Sequence, residues 1–511
     1  MAHYAVHCLV VAWLTVALLV AASFCYAASK DFLYSCHAGG IMGEMQILFV
    51  SSEVFPFSKT GGLADVAGAL PQALAALGHE VMVVSPWYQS LKQAAPLWIG
   101  DVAVPFDNGD ASCGVGTLER DGVRYVFVGH ELFNRDSLYG YPDDIYRFAL
   151  FNRAVPVVVA RNGFVPDVMH ANDWHTGYLP MLVTHGWHMP EGFVGLPSVY
   201  TIHNAQYQGH SELATVLHWL RLPQGLQSSY LNYFGGASAM QAGVGFAHWV
   251  TTVSPSYAEE ITLPEYGYGL DGTFASSRHK LSGILNGIDT DIWNPSQDPY
   301  LAQPYNAEDF RGKEIAKREL CERFGIADNR PLLGVVSRLA DQKGIDIVVA
   351  ALPQLLEQDW NIMVLGAGDS ALEQAVRQAT ASNPGRVGSY IGYDEGFAHN
   401  IYAGADALMV PSRFEPCGLS QMIAMRYGTI PIARATGGLR DTIDHGVTGF
   451  LFEAAEPEGL LWATWGARNT YYTQDYWKLM MQRGMAKDFS WNSAAVAYEA
   501  IYKRIGRVNV D

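Results

Sequence analysis

Residues 45–66 read MQILFVSSEVFPFSKTGGLADV and show most clearly how this chain is expected to fold. The apolar run 45–50 predicts a buried strand, and the pattern over about 63–77 predicts a helix that Gly78 ends. A second strand is predicted over 80–84. The stretch therefore predicts a βαβ crossover in which a glycine-rich loop opens the helix.

The same alternation continues along the chain and predicts parallel α/β sheets. Further strands are predicted at 123–128, 166–170, 197–202 and 249–253. A second series is predicted from Pro331 onward, with strands at 332–337, 362–366, 387–391, 407–411 and 430–433. Polar, proline-bearing sequence between 286 and 308 separates the two series and indicates an interdomain linker.

The predicted fold class is α/β, with two Rossmann-like domains that face a central cleft. A helix predicted over 490–505 packs back towards the N-terminal domain. The predicted domain boundaries are 45–290, 291–490 and 491–511. Since ligands of such sheets bind at the carboxyl ends of the strands, the loops that follow the strands are the candidates for function.

The composition describes a globular, acidic chain. Of its 511 residues, 49% are apolar and 16% charged, and the formal net charge is −17. This acidity argues against a nucleic-acid or anionic-membrane partner, so any anionic ligand is expected to be bound locally by a few cations and backbone amides. The six cysteines form no CxxC pair, which argues against a disulfide scaffold and a structural zinc site.

The first 44 residues allow three explanations. Val6–Ala28 is nearly uncharged, and its length suits the core of a signal peptide or a membrane anchor. No Lys or Arg precedes Lys30, which is unusual for a signal peptide. Because the globular pattern begins abruptly at Met45, residues 1–44 are also explained as a mis-called upstream extension.

Two Gly-Gly loops, Lys59–Leu63 and Arg434–Asp441, follow predicted strands and open predicted helices. Paired glycines let backbone N–H groups approach an anion, and the helix dipole favours negative charge there. Together the loops predict two anion cradles that suit a diphosphate. Each loop alone is also explained as a tight strand-to-helix connection, and no P-loop motif is present.

Two cations follow the first strand of the second series, within Ser337–Gly344. Arg338 and Lys343 are expected at the carboxyl end of that strand, where they would stabilise charge on a departing diphosphate. The alternative is a surface loop with solvated charges.

Two histidine-bearing segments, His170–His175 and Thr201–Asn204, also end predicted strands. Histidine, aspartate and tryptophan together at a strand end suggest a site, although a lone histidine is more often structural. Their spacing matches no zinc pattern. A third segment, Pro411–Leu419, places Glu415 before a helix, where it would accept sugar hydroxyls or cap that helix. Its Cys417 is expected to be a buried small residue rather than a nucleophile.

Taken in order, these segments resemble the bacterial glycogen synthase and plant starch synthase family. The resemblance extends from Met45 to the end of the chain. It is carried by Lys59–Val66, His170–His175, Thr201–Asn204, Asn286–Asp289, Ser337–Arg338, Gln342–Gly344, Arg413–Leu419, Thr436–Leu439 and Asp488–Trp491. The family implies a GT-B-type fold and a retaining transfer of glucose from ADP-glucose to the non-reducing 4-hydroxyl of an α-1,4-glucan.

The resemblance also implies roles for single residues. The expected catalytic residues are Arg338, Lys343, Glu415, His175 and Asp143. The expected substrate-binding residues are Lys59, Gly61, Gly62, His203, Asn204, Asn286, Tyr393, Cys417, Gly418, Leu419, Thr436, Gly437 and Gly438. In this scheme Lys59 and Gly62 face the donor diphosphate, His175 contacts the donor glucose, and Tyr393 stacks on adenine.

A carboxylate nucleophile would be needed for retention by double displacement, and the family offers no agreed candidate. We therefore expect a front-face departure in which the leaving phosphate takes the acceptor proton. No cofactor, no metal, no nucleic acid and no membrane partner are expected for the mature enzyme, which we place in the cytoplasm, or in a plastid or other compartment if residues 1–44 target it. The alternative functions are a UDP-glucose-dependent glucosyltransferase of the same fold and an inactive glucan-binding relative.

The chain departs from the family pattern at three positions. Asn172 replaces a frequent histidine, Gln241 a usual lysine, and His248 a common aspartate. None belongs to the expected diphosphate site, so the departures leave the expected activity in place.

Overall fold

The computed structural model of the chain describes residues 44–93, 95–224, 226 and 230–506. The alternative explanations of residues 1–44 therefore concern a segment that lies, except for Glu44, outside the described residues. The strands are β1 (Gln46–Val50), β2 (Glu80–Pro86), β3 (Leu97–Phe106), β4 (Gly109–Arg120), β5 (Val123–Gly129), β6 (Val168–Asn172), β7 (Ser198–Ile202), β8 (His210–Glu212), β9 (Asn232–Tyr233), β10 (Gly236–Ser238), β11 (Trp249–Thr252), β12 (Leu281–Gly283), β13 (Leu332–Val336), β14 (Asn361–Gly366), β15 (Val387–Ile391), β16 (Ala407–Val410), β17 (Ile430–Arg434) and β18 (Phe450–Phe452).

The α-helices alternate with these strands. They are α1 (Gly62–Ala76), α2 (Asp144–Arg161), α3 (Leu179–His185), α4 (Leu213–Trp219), α5 (Ala239–Phe246), α6 (Pro255–Glu260), α7 (Pro264–Gly267), α8 (Asp271–Ser276), α9 (Arg311–Phe324), α10 (Ile345–Glu357), α11 (Ser370–Ser382), α12 (Glu395–Gly404), α13 (Ser420–Arg426), α14 (Gly437–Thr442), α15 (Pro457–Tyr471), α16 (Gln474–Met485) and α17 (Trp491–Ile505). Short 3₁₀ helices span Gln89–Gln93, Glu131–Phe133, Trp174–Thr176, Arg278–Lys280 and Asp341–Lys343. Among the described helices, none combines the length and the apolar character needed to cross a bilayer.

The first sheet has nine strands in the order β12-β11-β7-β6-β1-β2-β5-β4-β3. Its central strands are parallel, and β1 is buried between β2 and β6. The strands predicted between 45 and 253 are all present, with bounds within two residues of those expected. The sequence pattern missed the antiparallel pair β3 and β4, because β3 exposes much of its surface and lacks a continuous apolar run. It also missed the small sheet β8-β10-β9.

The second sheet has six parallel strands in the order β15-β14-β13-β16-β17-β18. Its predicted strands are confirmed, and residues between β12 and α9 form no helix or strand. Because β13, β16 and β17 are neighbours, their carboxyl ends bring three loops together: 337–344, 411–419 and 435–437. Those loops carry the predicted cations, Glu415 and the second Gly-Gly pair.

The final helix α17 packs against α1, the helix that connects β1 and β2 of the first sheet. His170 Nδ1 lies 2.7 Å from the Tyr502 hydroxyl, and His79 Nε2 lies 3.1 Å from Glu499 Oε1. The predicted return of the C-terminal helix is therefore confirmed, and His170 supports it from β6 rather than facing a ligand.

Candidate active site

The loop before α1 carries Lys59 on its exposed surface. Lys59 Nζ lies 2.6 Å from Asp65 Oδ1, and both side chains remain partly exposed. Gly61 and Gly62 are exposed, and a Cβ atom at Gly62 would meet nothing within 4 Å. Within the described part of the chain, no acceptor binds the Gly62 amide. The loop thus leaves space and an N–H donor beside a cation, as an anion site requires.

Glu53 anchors this loop from its buried side. The sequence pattern did not predict this contact. The Thr60 amide and hydroxyl donate to Glu53 Oε2 at 2.5 and 2.8 Å. Burial raises the pKa of the Glu53 carboxyl to about 7, although the hydrogen bonds from Thr60 and Gly61 oppose that shift. The only available signal was its place directly after a strand, in the run Ser51–Glu53.

Lys343 and Glu415 form an ion pair at the carboxyl end of the second sheet. Lys343 Nζ lies 2.5 Å from Glu415 Oε2, and the Ser412 hydroxyl donates to the same oxygen at 2.9 Å. The two side chains are 20% and 8% exposed, so the pair is shielded from water on most sides. A donor phosphate at Lys343 would compete with Glu415 for the cation.

A cavity opens beside this ion pair. Its lining includes Ser337, Lys343, Glu415 and residues 418–421 at the start of α13. Gly418 has a φ of +76°, a conformation that glycine adopts without strain. Arg338 is exposed next to this region, and its guanidinium donates one hydrogen bond among the described residues, to Gln342 Oε1 at 3.3 Å. The structure therefore brings Arg338, Lys343, Glu415, Gly418 and Leu419 together.

His175 lies in an aromatic box in the first half of the chain. Its ring stacks on Trp174 and Tyr139, with centroids 4.1 and 4.6 Å away, and meets the edge of Phe148. Burial holds the pKa of His175 well below its usual range, and Arg147 lowers it further. The imidazole is therefore neutral near pH 7 and can take part in hydrogen bonds without carrying charge.

Asp143 is engaged by a cation that the sequence analysis did not consider. Arg135 donates from both terminal nitrogens to the Asp143 carboxylate, at 2.6 and 2.5 Å. These hydrogen bonds hold the pKa of Asp143 below its usual value. Asp143 is thus a fixed, ionised carboxylate at the start of α2 rather than a proton donor.

His203 and Asn204 surround a buried carboxylate. Asp173 accepts the backbone amides of both residues, and the His203 ring lies 3.0 Å from Asn172 Oδ1. Burial raises the pKa of Asp173 to about 7 and lowers the pKa of His203 to about 3. Asp173 belongs to the predicted segment His170–His175, but only the fold shows that its carboxylate holds the loop after β7.

The second Gly-Gly loop was predicted to be an open anion cradle, and the structure differs from this prediction. The Gly437 amide donates to Glu260 Oε1 at 2.8 Å, and the Gly438 amide donates to the Glu415 carbonyl at 3.1 Å. Thr436 is 1% exposed, and its hydroxyl also donates to Glu260. Both glycine amides are therefore already used by acceptors of the protein itself.

The remaining predicted residues lie on two sides of the cleft. Asn286 and Cys417 are buried against each other, and burial raises the pKa of the Cys417 thiol to about 12, as expected for a non-nucleophilic cysteine. Tyr393 exposes its ring. Partial shielding from water raises the pKa of its hydroxyl, and Glu395, Lys59 and Asp65 act on it electrostatically. Tyr393 therefore faces the Lys59 loop across the cleft.

The side chains at the three positions that depart from the family pattern, Asn172, Gln241 and His248, form hydrogen bonds within the protein. The Asn172 amide donates to the Val50 carbonyl at 3.0 Å, and Gln241 Nε2 donates to the Asn232 carbonyl. The Ser198 amide donates to His248 Nδ1. None of these three side chains contacts the cavity described above.

Comparison with known proteins agrees with this geometry. Residues 46–276 match the family described as starch synthase catalytic domain, and residues 316–463 match glycosyl transferases group 1. Glycogen synthase from Deinococcus deserti is 47% identical over 465 residues, which cover 90% of this chain and 99% of that protein. The chain belongs to the bacterial glycogen synthase and plant starch synthase family. Glycogen synthase from Thermus thermophilus is 44% identical over 460 residues, with the same shares of the two chains covered.

Solved structures of related enzymes show the same fold. The catalytic domain of starch synthase IV from Arabidopsis thaliana, bound to ADP and acarbose, is 34% identical with a TM-score of 0.83. The match covers 90% of this chain and 99% of that one. Sucrose-phosphate synthase from Thermosynechococcus elongatus is 18% identical with a TM-score of 0.56, and the match covers 90% of this chain and 99% of that one. The GT-B-type fold and the glycosyltransferase family are confirmed, and the family implies a nucleotide-sugar donor and a glucan acceptor.

Proposed function

We propose that the chain transfers glucose from ADP-glucose to the non-reducing 4-hydroxyl of an α-1,4-glucan and retains the configuration of the anomeric carbon. The observation that carries this proposal is the cavity at the ends of β13 and β16, where Lys343, Glu415 and the start of α13 meet. A relative at 34% identity holds ADP, which supports an adenine nucleotide as the donor's leaving group.

The donor is proposed to lie across the cleft. Tyr393 stacks on adenine, while Lys59 and the Gly61–Gly62 segment, with its open Gly62 amide, face the diphosphate. Arg338 and Lys343 neutralise the phosphate that departs. Around the donor glucose we place His175, Asp143, Glu415 and the 417–419 backbone, with His203, Asn204 and Asn286 behind them.

The Lys343–Glu415 pair suggests how the site responds to its donor. Without a donor, each group satisfies the charge of the other at 2.5 Å. A phosphate that binds Lys343 weakens this pairing, and the Glu415 carboxylate then becomes available to accept a sugar hydroxyl. Fixed cations at the leaving group stabilise the charge that develops in the transition state.

Retention is proposed to follow a front-face route. The glycosidic C–O bond to the phosphate breaks first, and an oxocarbenium-like ion pair forms. The acceptor 4-hydroxyl then attacks from the same face, and the departing phosphate takes its proton. Glu415 is engaged by Lys343 and Ser412, which supports a hydroxyl-binding role for it rather than that of a nucleophile beneath the sugar.

The test is incorporation of labelled glucose into glycogen from ADP-glucose and from UDP-glucose in parallel, with the anomeric configuration read by proton NMR. We expect transfer from ADP-glucose with α-linked product. Faster transfer from UDP-glucose would contradict the donor assignment. If neither donor reacts while glycogen still binds, the chain is a non-enzymatic glucan-binding relative.

We further propose a cytoplasmic enzyme with domains at 45–290, 291–490 and 491–511. N-terminal sequencing of the native protein tests the location. A first residue at Met45 agrees with it, whereas a first residue near 28 or 29 indicates processing of a targeting segment and contradicts it.

A further inference from the structure

Glu260, the last residue of α6, has a buried carboxylate for which the proposed reaction has no use. It is 9% exposed. Its Oε1 atom accepts the Gly437 amide at 2.8 Å and the Thr436 hydroxyl at 3.1 Å. The carboxylate comes from the first half of the chain, whereas the loop that it binds opens α14 in the second half.

The loop held by Glu260 packs directly on the backbone of Glu415. A Cβ atom at Gly437 would lie 2.0 Å from the Glu415 carbonyl oxygen, and one at Gly438 would lie 2.1 Å from the Cys417 carbonyl oxygen. The Gly438 amide also donates to the Glu415 carbonyl. Because no free space separates the two segments, a displaced Gly-Gly loop would displace Glu415 as well.

The segment that begins α6 supports the same region twice more. The Ser254 hydroxyl donates to the Pro416 carbonyl at 2.6 Å. The Ser256 amide and hydroxyl donate to the two oxygens of Asp441, at 2.8 and 2.7 Å. Three side chains of one short segment thus hold the loops around Glu415 from the other half of the enzyme.

A buried carboxylate is costly unless hydrogen bonds and nearby charges compensate it. Burial raises the pKa of Glu260, while the Gly437 amide, the Thr436 hydroxyl and the guanidinium groups of Arg440 and Arg434 oppose that shift. Glu260 therefore supplies within the protein the hydrogen-bond acceptor that the Gly-Gly loop was predicted to take from a ligand.

We propose that Glu260 is a positioning residue for glucosyl transfer, which holds the Thr436–Gly438 loop and through it places Glu415 and its partner Lys343. The inference rests on the proposed function, because it assigns Glu260 to the placement of that site. A donor phosphate does not bind the second Gly-Gly loop in this arrangement.

The test compares three variants with the wild-type enzyme. Glu260→Ala removes the acceptor, Glu260→Gln keeps an acceptor oxygen, and Glu259→Ala removes an exposed charge from the same helix as a matched control. We measure kcat and KM for ADP-glucose, the Kd of ADP and the melting temperature. We expect kcat of Glu260→Ala to fall by roughly 10- to 100-fold. We expect KM and Kd to change less than about threefold, with Glu260→Gln largely restored and the control unchanged.

Three results would overturn the inference. One is a Glu260→Ala enzyme with wild-type kcat. Another is tighter ADP binding by that variant at unchanged kcat, which would make the loop a phosphate site that Glu260 blocks. The third is equal loss in Glu260→Gln and Glu260→Ala, which would assign the effect to charge rather than to position.

Two further measurements keep the test decisive. If Glu260→Ala does not fold, Thr436→Val removes one of the two hydrogen bonds, and wild-type kcat in Thr436→Val rejects the inference. Wild-type transfer is measured first, because its absence refutes the proposed function itself. An active wild type with an equally active Glu260→Ala refutes only the role of Glu260.

Discussion

The loops Lys59–Gly62 and Thr436–Gly438 share the sequence Thr-Gly-Gly and the same place between a parallel strand and a helix. Each is also held by a buried carboxylate that accepts a backbone amide and a threonine hydroxyl, Glu53 in the first case and Glu260 in the second. Local sequence and local anchoring are therefore alike in the two loops.

Their surroundings differ. Gly62 is exposed, with open space where a Cβ atom would be, whereas Gly437 is buried with a carbonyl oxygen 2.0 Å from that position. Glu53 precedes its loop in the same half of the chain, while Glu260 reaches its loop from the other half. The same motif therefore leaves an exposed glycine with room for a ligand in the first loop, and forms an internal joint in the second loop, where another element covers it.

The largest expected effect concerns Lys343, because the proposed reaction places the leaving phosphate at this cation and not at the second loop. Lys343→Ala should lower kcat by roughly 100- to 1000-fold, the scale for losing one preorganised charged donor. Initial rates with saturating ADP-glucose measure this, with the exposed Lys478→Ala as control. Near-normal turnover in Lys343→Ala would show that the leaving phosphate binds elsewhere, and the second Gly-Gly loop would again be a candidate for it.

Alanine substitutions at the two loops contrast them directly. Gly437→Ala forces a side chain onto a φ of +44° and into the Glu415 carbonyl, so the free energy of unfolding should fall by about 2–4 kcal/mol. Gly62→Ala should fold normally and raise KM for ADP-glucose by roughly 10-fold, because the new methyl group occupies the open anion site. Denaturant unfolding and steady-state kinetics check both. Equal stability losses would show that the loops are alike.

Glu53→Gln tests the anchor of the first loop through pH. The folded pKa of Glu53 is about 7 and its ordinary value is 4.5, so the folded protein retains a proton that the unfolded chain releases between these values. Stability from this group is therefore full below pH 4.5 and is lost as pH rises towards 7, by at most about 3 kcal/mol. Glu53→Gln should lack this loss when unfolding is measured at pH 5 and pH 8. If the stability of wild type and variant changed equally between the two pH values, the raised pKa of the Glu53 carboxyl would be contradicted.

The smallest expected effect concerns Lys59. Its ion pair with Asp65 is partly exposed, so Lys59→Ala should change the free energy of unfolding by less than about 1 kcal/mol. KM for ADP-glucose should rise by about 3- to 10-fold, because one cation beside the open loop is lost. Denaturant unfolding and steady-state kinetics measure the two effects. A large loss of stability without a change in KM would show that Lys59 has a structural role.

Much of the fold could be predicted from the sequence, because the parallel strands are buried on both faces and read as continuous apolar runs. The strand pair β3 and β4 could not, since it is antiparallel and partly exposed. In the site, Lys59, Arg338, Lys343 and Glu415 could be predicted as strand-end residues. The carboxylates Glu53, Asp173 and Glu260 could not, because a carboxylate that anchors a loop has no sequence pattern that distinguishes it from a solvated one.

From the sequence alone, most of the parallel strands could be located to within two residues, together with the loops at their carboxyl ends. How those loops are used depends on the tertiary structure. Lys343 and Glu415 lie 72 residues apart in sequence, and Glu260 and Gly437 lie 177 apart, yet each pair is within 3 Å in space. Strand order and the packing of α6 against α14 create these pairings, and they determine which Gly-Gly loop is open to a ligand and which is closed.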